Sequence, residues 1–414
     1  MNEIREPLLS IIVPSKNREK YALSVTKQIL SFPYNNFELI VQNNSDTNEL
    51  EYMLSEYKND KRLKYNYHGG ILSTIGNFSQ AMELCDGEYV CAIGDDDGIN
   101  PEIIKVVEWA KQNNVDAIKP GLQFFYLWPE SGTSINKENI DNGSILISEI
   151  TCKVKISNTK IELDKLMADG CQNYLLRDLV KVYHGVVKRE YMEQIKEITG
   201  SYFGGLAPDI YSCIALSLLI KKVVSIDYPL TIAGACNKSS SADSATGRHT
   251  GKLEDAPHFT GHYNYEWAIE VPRFYSVETI WADSGLASIK DMNLIQKDLL
   301  SHFECAALTA RCLNSSPQYS KEIMGHYYNY SSSIGINKAK AIYKLGTYIF
   351  KTYIFKCINF AKNKITNKTK TKLINNVSDI VEAEKITTAY LNDNNININK
   401  VINNLNACYK SNTK

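Results

Sequence analysis

The chain has 414 residues, 44% of them hydrophobic and 22% charged, with 46 Lys and Arg against 46 Asp and Glu. This is ordinary globular content for two to three domains, and a formal net charge of zero excludes a global field that would steer the chain to nucleic acid. Ten cysteines stand singly with no C-x-x-C pair, which argues against a zinc knuckle, a redox motif or a disulfide framework. No apolar run reaches the roughly eighteen residues of a spanning helix. Met1 to Glu6 leads into a strand without the apolar stretch of a signal peptide, so a cytoplasmic location is expected.

Taken in order, Leu8 to Pro14 is an apolar run of strand length, and the polar Ser15-Lys16-Asn17-Arg18 ends it. Tyr21, Val25, Gln28 and Ile29 have helical spacing, and Phe37 to Val41 is a second apolar strand ending in Gln42-Asn43-Asn44-Ser45-Asp46. Two such strands joined by a helix predict a βαβ unit and a parallel sheet. A helix over Leu50–Tyr57, a strand over Leu63–Tyr67 and a helix over Asn77–Leu84 follow. Tyr89 to Ile93 is then a short buried strand that runs straight into Asp95-Asp96-Asp97, bracketed by Gly94 and Gly98. Ligands bind at strand carboxyl ends in open α/β sheets, and clustered carboxylates there repel one another unless a divalent cation neutralises them. A solvated acidic turn is the plainer alternative. Asn100 is expected to cap the next helix, with Pro101 at its first position.

With these residues in place, 8 to about 120 resembles the nucleotide-binding half of family 2 glycosyltransferases, which are inverting enzymes with the GT-A fold. The resemblance rests on Ile12-Val13-Pro14 with Asn17-Arg18, on Asn43-Asn44-Ser45-Asp46, on Asn77-Phe78 with Ala81, and on Gly87-Glu88-Tyr89-Val90 before the acids. It implies a nucleotide-sugar donor, a UDP-sugar first among them, with Mg or Mn on the diphosphate. It further implies donor contacts from Pro14, Ser15, Asn17, Arg18, Asn43, Asn44, Asn77, Asp95 and Asp96, and metal contacts from Asp96 and Asp97. Many members carry an aspartate pair after the second strand. Here Asn43-Asn44 stands there, so recognition at that point would rest on neutral hydrogen bonds.

Residues 121 to about 170 read as a strand-rich insertion, with alternating stretches at Ser144–Ile147 and Lys153–Ile156. Val182 to Arg189 reads as a strand, in which His184 has the position that the resemblance puts beside the donor sugar; a structural histidine is the alternative. In Tyr202-Phe203-Gly204-Gly205-Leu206-Ala207-Pro208-Asp209 a glycine-rich loop sets Asp209 at the start of an apolar helix, whose dipole favours a carboxylate. The resemblance makes Asp209 the general base; a simple capping aspartate is the other reading. Lys238 to Gly251 has the small, polar composition of a mobile loop; the resemblance puts Arg248 toward the donor diphosphate and His249 toward the metal as lid residues, and a disordered linker is the alternative.

From Tyr263 the chain is aromatic and helical. No acid occurs between Glu322 and Asp379, while lysines alternate with aromatic residues. At about 100° per residue Lys340, Lys344, Lys351 and Lys362 share one face, as in a helix lying on a membrane; a solvated basic tail is the alternative. The expected architecture is an α/β, GT-A catalytic domain over 1–255, divided into a donor half (8–120) and an acceptor half with the mobile loop (121–255). A helical region (256–335) and a basic aromatic helical tail (336–414) follow. The expected activity is metal-dependent, inverting transfer of a sugar to a hydroxyl of a glycan or lipid-linked glycan, with peripheral membrane contact through 338–372 and no nucleic-acid partner. A catalytically silent carbohydrate-binding subunit and a sugar-phosphate nucleotidyltransferase are the alternatives. Against the latter, Pro14 to Arg18 contains no glycine.

Overall fold

A computed structural model describes residues 7–131, 134–135, 138–139, 143–237, 250–259, 265–292, 298–365 and 371–412. The elements run in the expected order: β1 (Leu9–Ser15), α1 (Glu19–Leu30), β2 (Phe37–Asn43), α2 (Glu49–Met53), β3 (Leu63–Tyr67), α3 (Thr74–Glu83), β4 (Tyr89–Ala92), β5 (Gly98–Ile99), α4 (Ile103–Gln112), β6 (Ala117–Gly121) and β7 (Phe124–Leu127). β1 is buried along its whole length between β2 and β4, both parallel to it, so both of its faces are apolar. β3 continues the parallel run beyond β2.

The sheet has eight strands. Beyond β4 come the antiparallel strand Val186–Lys188, then β6, the strand Lys222–Pro229 parallel to it, and Val154–Asn158 at the edge. A second, five-stranded sheet is ordered Lys372–Asn375, Ser144–Ile147, β7, Thr231–Ala235 and β5. The architecture is therefore mixed α/β around a mostly parallel central sheet, as expected. The expected strand over Val182–Arg189 is shorter, because His184 takes a left-handed φ of 55° and breaks the extended run. Asn100 also differs from expectation. Its Oδ1 accepts from the Glu102 amide in a turn that precedes α4, so it shapes the entry rather than capping the helix.

Asp178 ties the far side of the large sheet together. It accepts from Lys119 on β6 (2.9 Å), from Lys155 and Ser157 on the edge strand (2.8 and 3.0 Å), and from Ser225 on the strand between them (2.9 Å). Helices α5 (Thr159–Ala168), α6 (Arg189–Thr199) and α7 (Pro208–Leu219) pack beneath this half, and α7 is buried on almost every side.

The C-terminal region is mainly helical, but its last part is no tail. Lys372–Asn375 adds a strand to Ser144–Ile147. The helices Ile380–Asp393 and Ile398–Asn412 then pack against α1, β5 and α4, burying Ile380, Ala383, Leu391, Ile398, Val401 and Leu405 in the core that holds β1. Ile380 lies where a Cβ on Gly98 would meet it at 2.7 Å, directly behind the acidic triplet. The basic composition of the preceding stretch hid this return, because a four-residue strand paired more than 200 residues away leaves no local periodicity.

Burial pushes the Asp178 carboxyl up, but hydrogen bonds and charge from Lys119 and Lys155 pull it well below the ordinary value. Its contribution to stability is then complete above the unfolded value of about 3.9 and is lost as pH falls from there through the folded value. Asp178→Asn is expected to lower the thermal midpoint at pH 7, with the gap to the parent closing progressively below about pH 4. A gap that stays constant with pH in scanning calorimetry contradicts this.

Candidate active site

Loops from both halves of the sheet line one cavity of about 1150 Å³. From the first half come Pro14, Ser15, Asn17, Arg18, Asn44, Asn77 and the triplet Asp95–Asp97. From the second come Lys119, Tyr174, Lys181, Tyr183, His184, Asp209 and Gly234, with Trp281 from the later helix Val277–Asp291. The structure thus gathers the expected donor residues and Asp209 around one space. Asn43 is not on its wall. Its side chain bonds the Tyr65 hydroxyl at 2.9 Å and the Ser45 amide at 2.9 Å, fixing the loop from beneath. Arg248 and His249 lie outside the described residues.

The three carboxylates are all buried, each at most 5% exposed, and each is compensated differently. Asp95 accepts from Ser15 Oγ at 2.5 Å and lies 3.1 Å from Arg18 Nη1. Asp96 lies 2.8 Å from Arg18 Nη2 and accepts from the Cys236 amide at 3.1 Å. Arg18 therefore bridges the two. Burial pushes Asp95 up to about 7 against the pull of Arg18, and it raises Asp96 as well.

Asp97 is different in kind. Its Oδ1 accepts from the Gly234 amide at 2.7 Å; its Oδ2 takes the Gly94 amide at 2.7 Å and the Tyr183 hydroxyl at 2.8 Å, with His184 Nε2 3.2 Å away. Burial acts to raise this carboxyl, but His184 and the two amides hold it below the ordinary value. His184 in turn meets Thr231 Oγ1 through Nδ1 at 2.9 Å. Both oxygens of Asp97 are thus spent within the protein, and its role is to lock the triplet loop to the strand Thr231–Ala235.

Gly234 makes that lock possible. A Cβ there would sit 1.8 Å from the Asp96 carbonyl oxygen. Trp128 seals the same carbonyl by donating from Nε1 at 2.7 Å. At the front of the cavity Asn17, in a left-handed conformation that asparagine tolerates, exchanges hydrogen bonds with Asp46 and so couples the loops after β1 and β2. Asn77 Nδ2 donates to the Ser15 carbonyl at 3.1 Å, and among the described residues neither its buried Oδ1 nor the buried Oδ1 of Asn44 has a hydrogen-bond partner.

Opposite the acids, Pro208 starts α7 and Asp209 stands in its first turn. Ser284 Oγ receives the amides of Leu206 and Ala207, at 3.0 Å each, and Gly205 (φ 64°) approaches Ser284 so closely that a Cβ would meet it at 2.8 Å. The approach to the helix is rigid. The Tyr174 hydroxyl donates to Asp209 Oδ2, and Tyr174 stands edge-on to Trp281 with ring centroids 4.9 Å apart. Sequence reasoning missed Tyr174, Tyr183, Lys181 and Gly234. Only Gly234, a glycine inside a strand pattern, carried a signal of close backbone approach.

The model of the family described as glycosyl transferase family 2 matches residues 10–131. This segment is thus similar to the family 2 glycosyltransferases. The chain is 32% identical over 111 residues to a protein of Escherichia coli (strain K12) named a colanic acid biosynthesis glycosyl transferase, WcaA, covering 26% of this chain and 39% of that one. It is 30% identical over 96 residues to the GalNAc(5)-diNAcBac-PP-undecaprenol beta-1,3-glucosyltransferase of Campylobacter jejuni, covering 22% and 30%. The matches thus span well under half of these relatives. Among solved structures, the S. aureus TarS 1-349 complex with UDP-GlcNAc is 12% identical over 84% of this chain and 91% of that one, with a TM-score of 0.46. The Pyrobaculum calidifontis mannosyltransferase PcManGT, in complex with GDP-Man and Mn2+, is also 12% identical, over 84% and 86%, with a TM-score of 0.36. The matched segment supplies the acid-bearing wall of the cavity, whereas Asp209 and Tyr174 come from outside it.

Gly234→Ala is expected to force the strand off the triplet loop, at a cost of about 1–3 kcal/mol or more. Thermal unfolding checks it. A variant with the parent's midpoint refutes the role given to this contact.

Proposed function

We propose that the protein is an inverting glycosyltransferase that moves a sugar from a nucleotide-sugar donor, a UDP-sugar first among them, to a hydroxyl of a glycan or lipid-linked glycan acceptor. The observation that carries this reading is the single cavity in which the loop after β1, the acidic triplet and Asp209 face one another. Ser15, Arg18, Asn44, Asn77, Asp95 and Asp96 form its donor end. The free oxygens of Asn44 and Asn77 are acceptors suited to the N–H and O–H groups of a nucleoside.

Asp95 and Asp96 fit a hard divalent cation, Mg or Mn, because they are buried carboxylates in excess of the one guanidinium between them, and Asp95 Oδ1 has no hydrogen bond among the described residues. Magnesium typically takes one or two carboxylates and completes its shell with substrate phosphates and water. Asp97 fits less well, since both its oxygens are committed. When bound, such a cation offsets the charge that builds on the departing nucleoside diphosphate. Arg18 adds a fixed positive charge at the same end.

Asp209 takes the proton of the attacking hydroxyl. Tyr174 holds Oδ2, which leaves Oδ1 as the basic atom and fixes its direction. Attack from the Asp209 side, opposite the diphosphate, inverts the anomeric centre. A base of this kind contributes on the order of 100- to 10,000-fold. With a panel of UDP-sugars and water standing in for the acceptor, Asp209→Asn is expected to lose at least 100-fold in turnover while keeping UDP affinity; Asp96→Asn is expected to lose Mg-dependent UDP affinity. UDP bound without hydrolysis by the parent favours the silent subunit. Parallel loss of affinity in Asp209→Asn makes that residue a structural cap.

Contact with an anionic membrane belongs to the same reading. Among the described residues no helix is long and apolar enough to cross a membrane. The helix Lys338–Ile365 instead buries Ala341 and Leu345 and leaves Ile342, Tyr343, Ile349 and Phe350 exposed by 51%, 75%, 46% and 64%. At about 100° per residue these four share a face, flanked by Lys338 on one side and Lys340 and Lys351 on the other. Lysines bordering an apolar stripe suit the interface of an anionic bilayer. Sedimentation with phosphatidylglycerol vesicles at low salt is expected to fall at least tenfold in Ile349→Ser/Phe350→Ser; equal binding by parent and variant removes the membrane from the proposal.

A further inference from the structure

The catalytic scheme leaves one buried cation unused. Lys181 is 6% exposed, and its ammonium stands on the cavity wall formed by Tyr174, Leu175 and Leu176. An ammonium has three N–H groups to satisfy. One donates to the Leu175 carbonyl at 2.9 Å, and the Tyr174 ring lies beneath the charge at 5.4 Å from its centroid. Among the described residues it makes no ion pair. The carboxylates around it act on it without an ion pair: Asp178 is hydrogen-bonded to Lys119, Lys155 and two serines, and Asp209 is held at Oδ2 by Tyr174. Burial pushes the ammonium down to about 8, with Lys119 adding repulsion against the weaker pull of Cys213, Asp209 and Asp178.

A desolvated cation held by one neutral carbonyl is costly unless something else answers its charge. The wall it occupies also carries Tyr174, which orients Asp209, so an anion drawn to this charge would lie on the acceptor side. We propose that Lys181 holds a phosphoryl group of the acceptor, close to the hydroxyl that Asp209 deprotonates. This rests on the glycosyltransferase reading for the word acceptor, but the anion site itself does not. A phosphate suits a lysine, which acts as a point charge, whereas carboxylate recognition more often uses the arginine fork. Leu175 and Leu176, 42% and 81% exposed beside it, give the phosphate an apolar border. The group could come from a phosphorylated glycan or from a lipid phosphate, and the two differ in whether that border is used.

The test is titration of the full chain, saturated with UDP and Mg so that the donor end is filled, with inorganic phosphate and separately with geranyl phosphate. Saturable binding is expected, and Lys181→Met is expected to weaken it at least tenfold while leaving UDP affinity unchanged. In the parent, the Lys181 side-chain ammonium followed by NMR through its Cε should titrate at higher pH with phosphate bound. That measurement stands even if the methionine variant does not fold. Tighter binding of geranyl phosphate than of inorganic phosphate supports a lipid source, and equal binding supports a phosphorylated glycan. Absence of saturable binding, or binding that is the same in Lys181→Met with no change in the Lys181 titration, overturns the proposal. UDP affinity is read in the same samples first, so its absence strikes the donor reading separately, and phosphate titration of the nucleotide-free chain then decides Lys181.

Discussion

Burying three adjacent carboxylates at the end of a strand is the constraint around which this molecule is arranged. Each ion costs several kcal/mol to desolvate unless it is paired and hydrogen-bonded, and the chain answers with groups drawn from distant parts of the sequence. Arg18 comes from the loop after β1, the amides of Gly234 and Cys236 from the second sheet, and Tyr183 with His184 from the turn before Val186–Lys188. The two sheets are therefore joined at the acids. Asp97 provides the joint, and Asp95 and Asp96 are left facing the cavity with one guanidinium between two charges.

That division explains how much of the site was legible. Residues on β1, β2 and β4 and in the loops after them could be read because a buried parallel strand has an unmistakable apolar run, and ligand-binding groups fall at its carboxyl end. The order of roles inside Asp95-Asp96-Asp97 could not be read. It depends on which oxygens receive hydrogen bonds from Gly94, Gly234 and Tyr183, and two of those three lie more than 80 residues away in sequence. Asn43 shows the same limit: its place after β2 suggested a ligand contact, whereas the pleat turns its side chain toward Tyr65.

The second half was readable in its elements and opaque in its partnerships. Pro208-Asp209 after two glycines announced a helix start, but nothing local announced Tyr174 or Ser284, which set the carboxylate and the loop before it. The C-terminal return was hidden for a related reason. Its helices are amphipathic and could have packed anywhere; the strand Lys372–Asn375 gives them their place by pairing with Ser144–Ile147, and this carries Ile380 to the back of Gly98. The last part of the chain thereby buttresses the loop that holds the acids near its beginning.

The two ends of the cavity solve opposite electrostatic problems. At the end that holds the acids negative charge exceeds the positive charge of Arg18, so an added cation would be favourable there, and a diphosphate only together with it. At the opposite end Lys181 makes no ion pair among the described residues, and Asp209 stands beside it with Oδ2 held by Tyr174. A substrate pair that brings a cation-bound diphosphate to one end and an anion to the other would leave neither wall with an uncompensated buried charge. Local compensation of this kind, with fixed groups rather than with water, is what allows a closed site to build and release charge without reorganising.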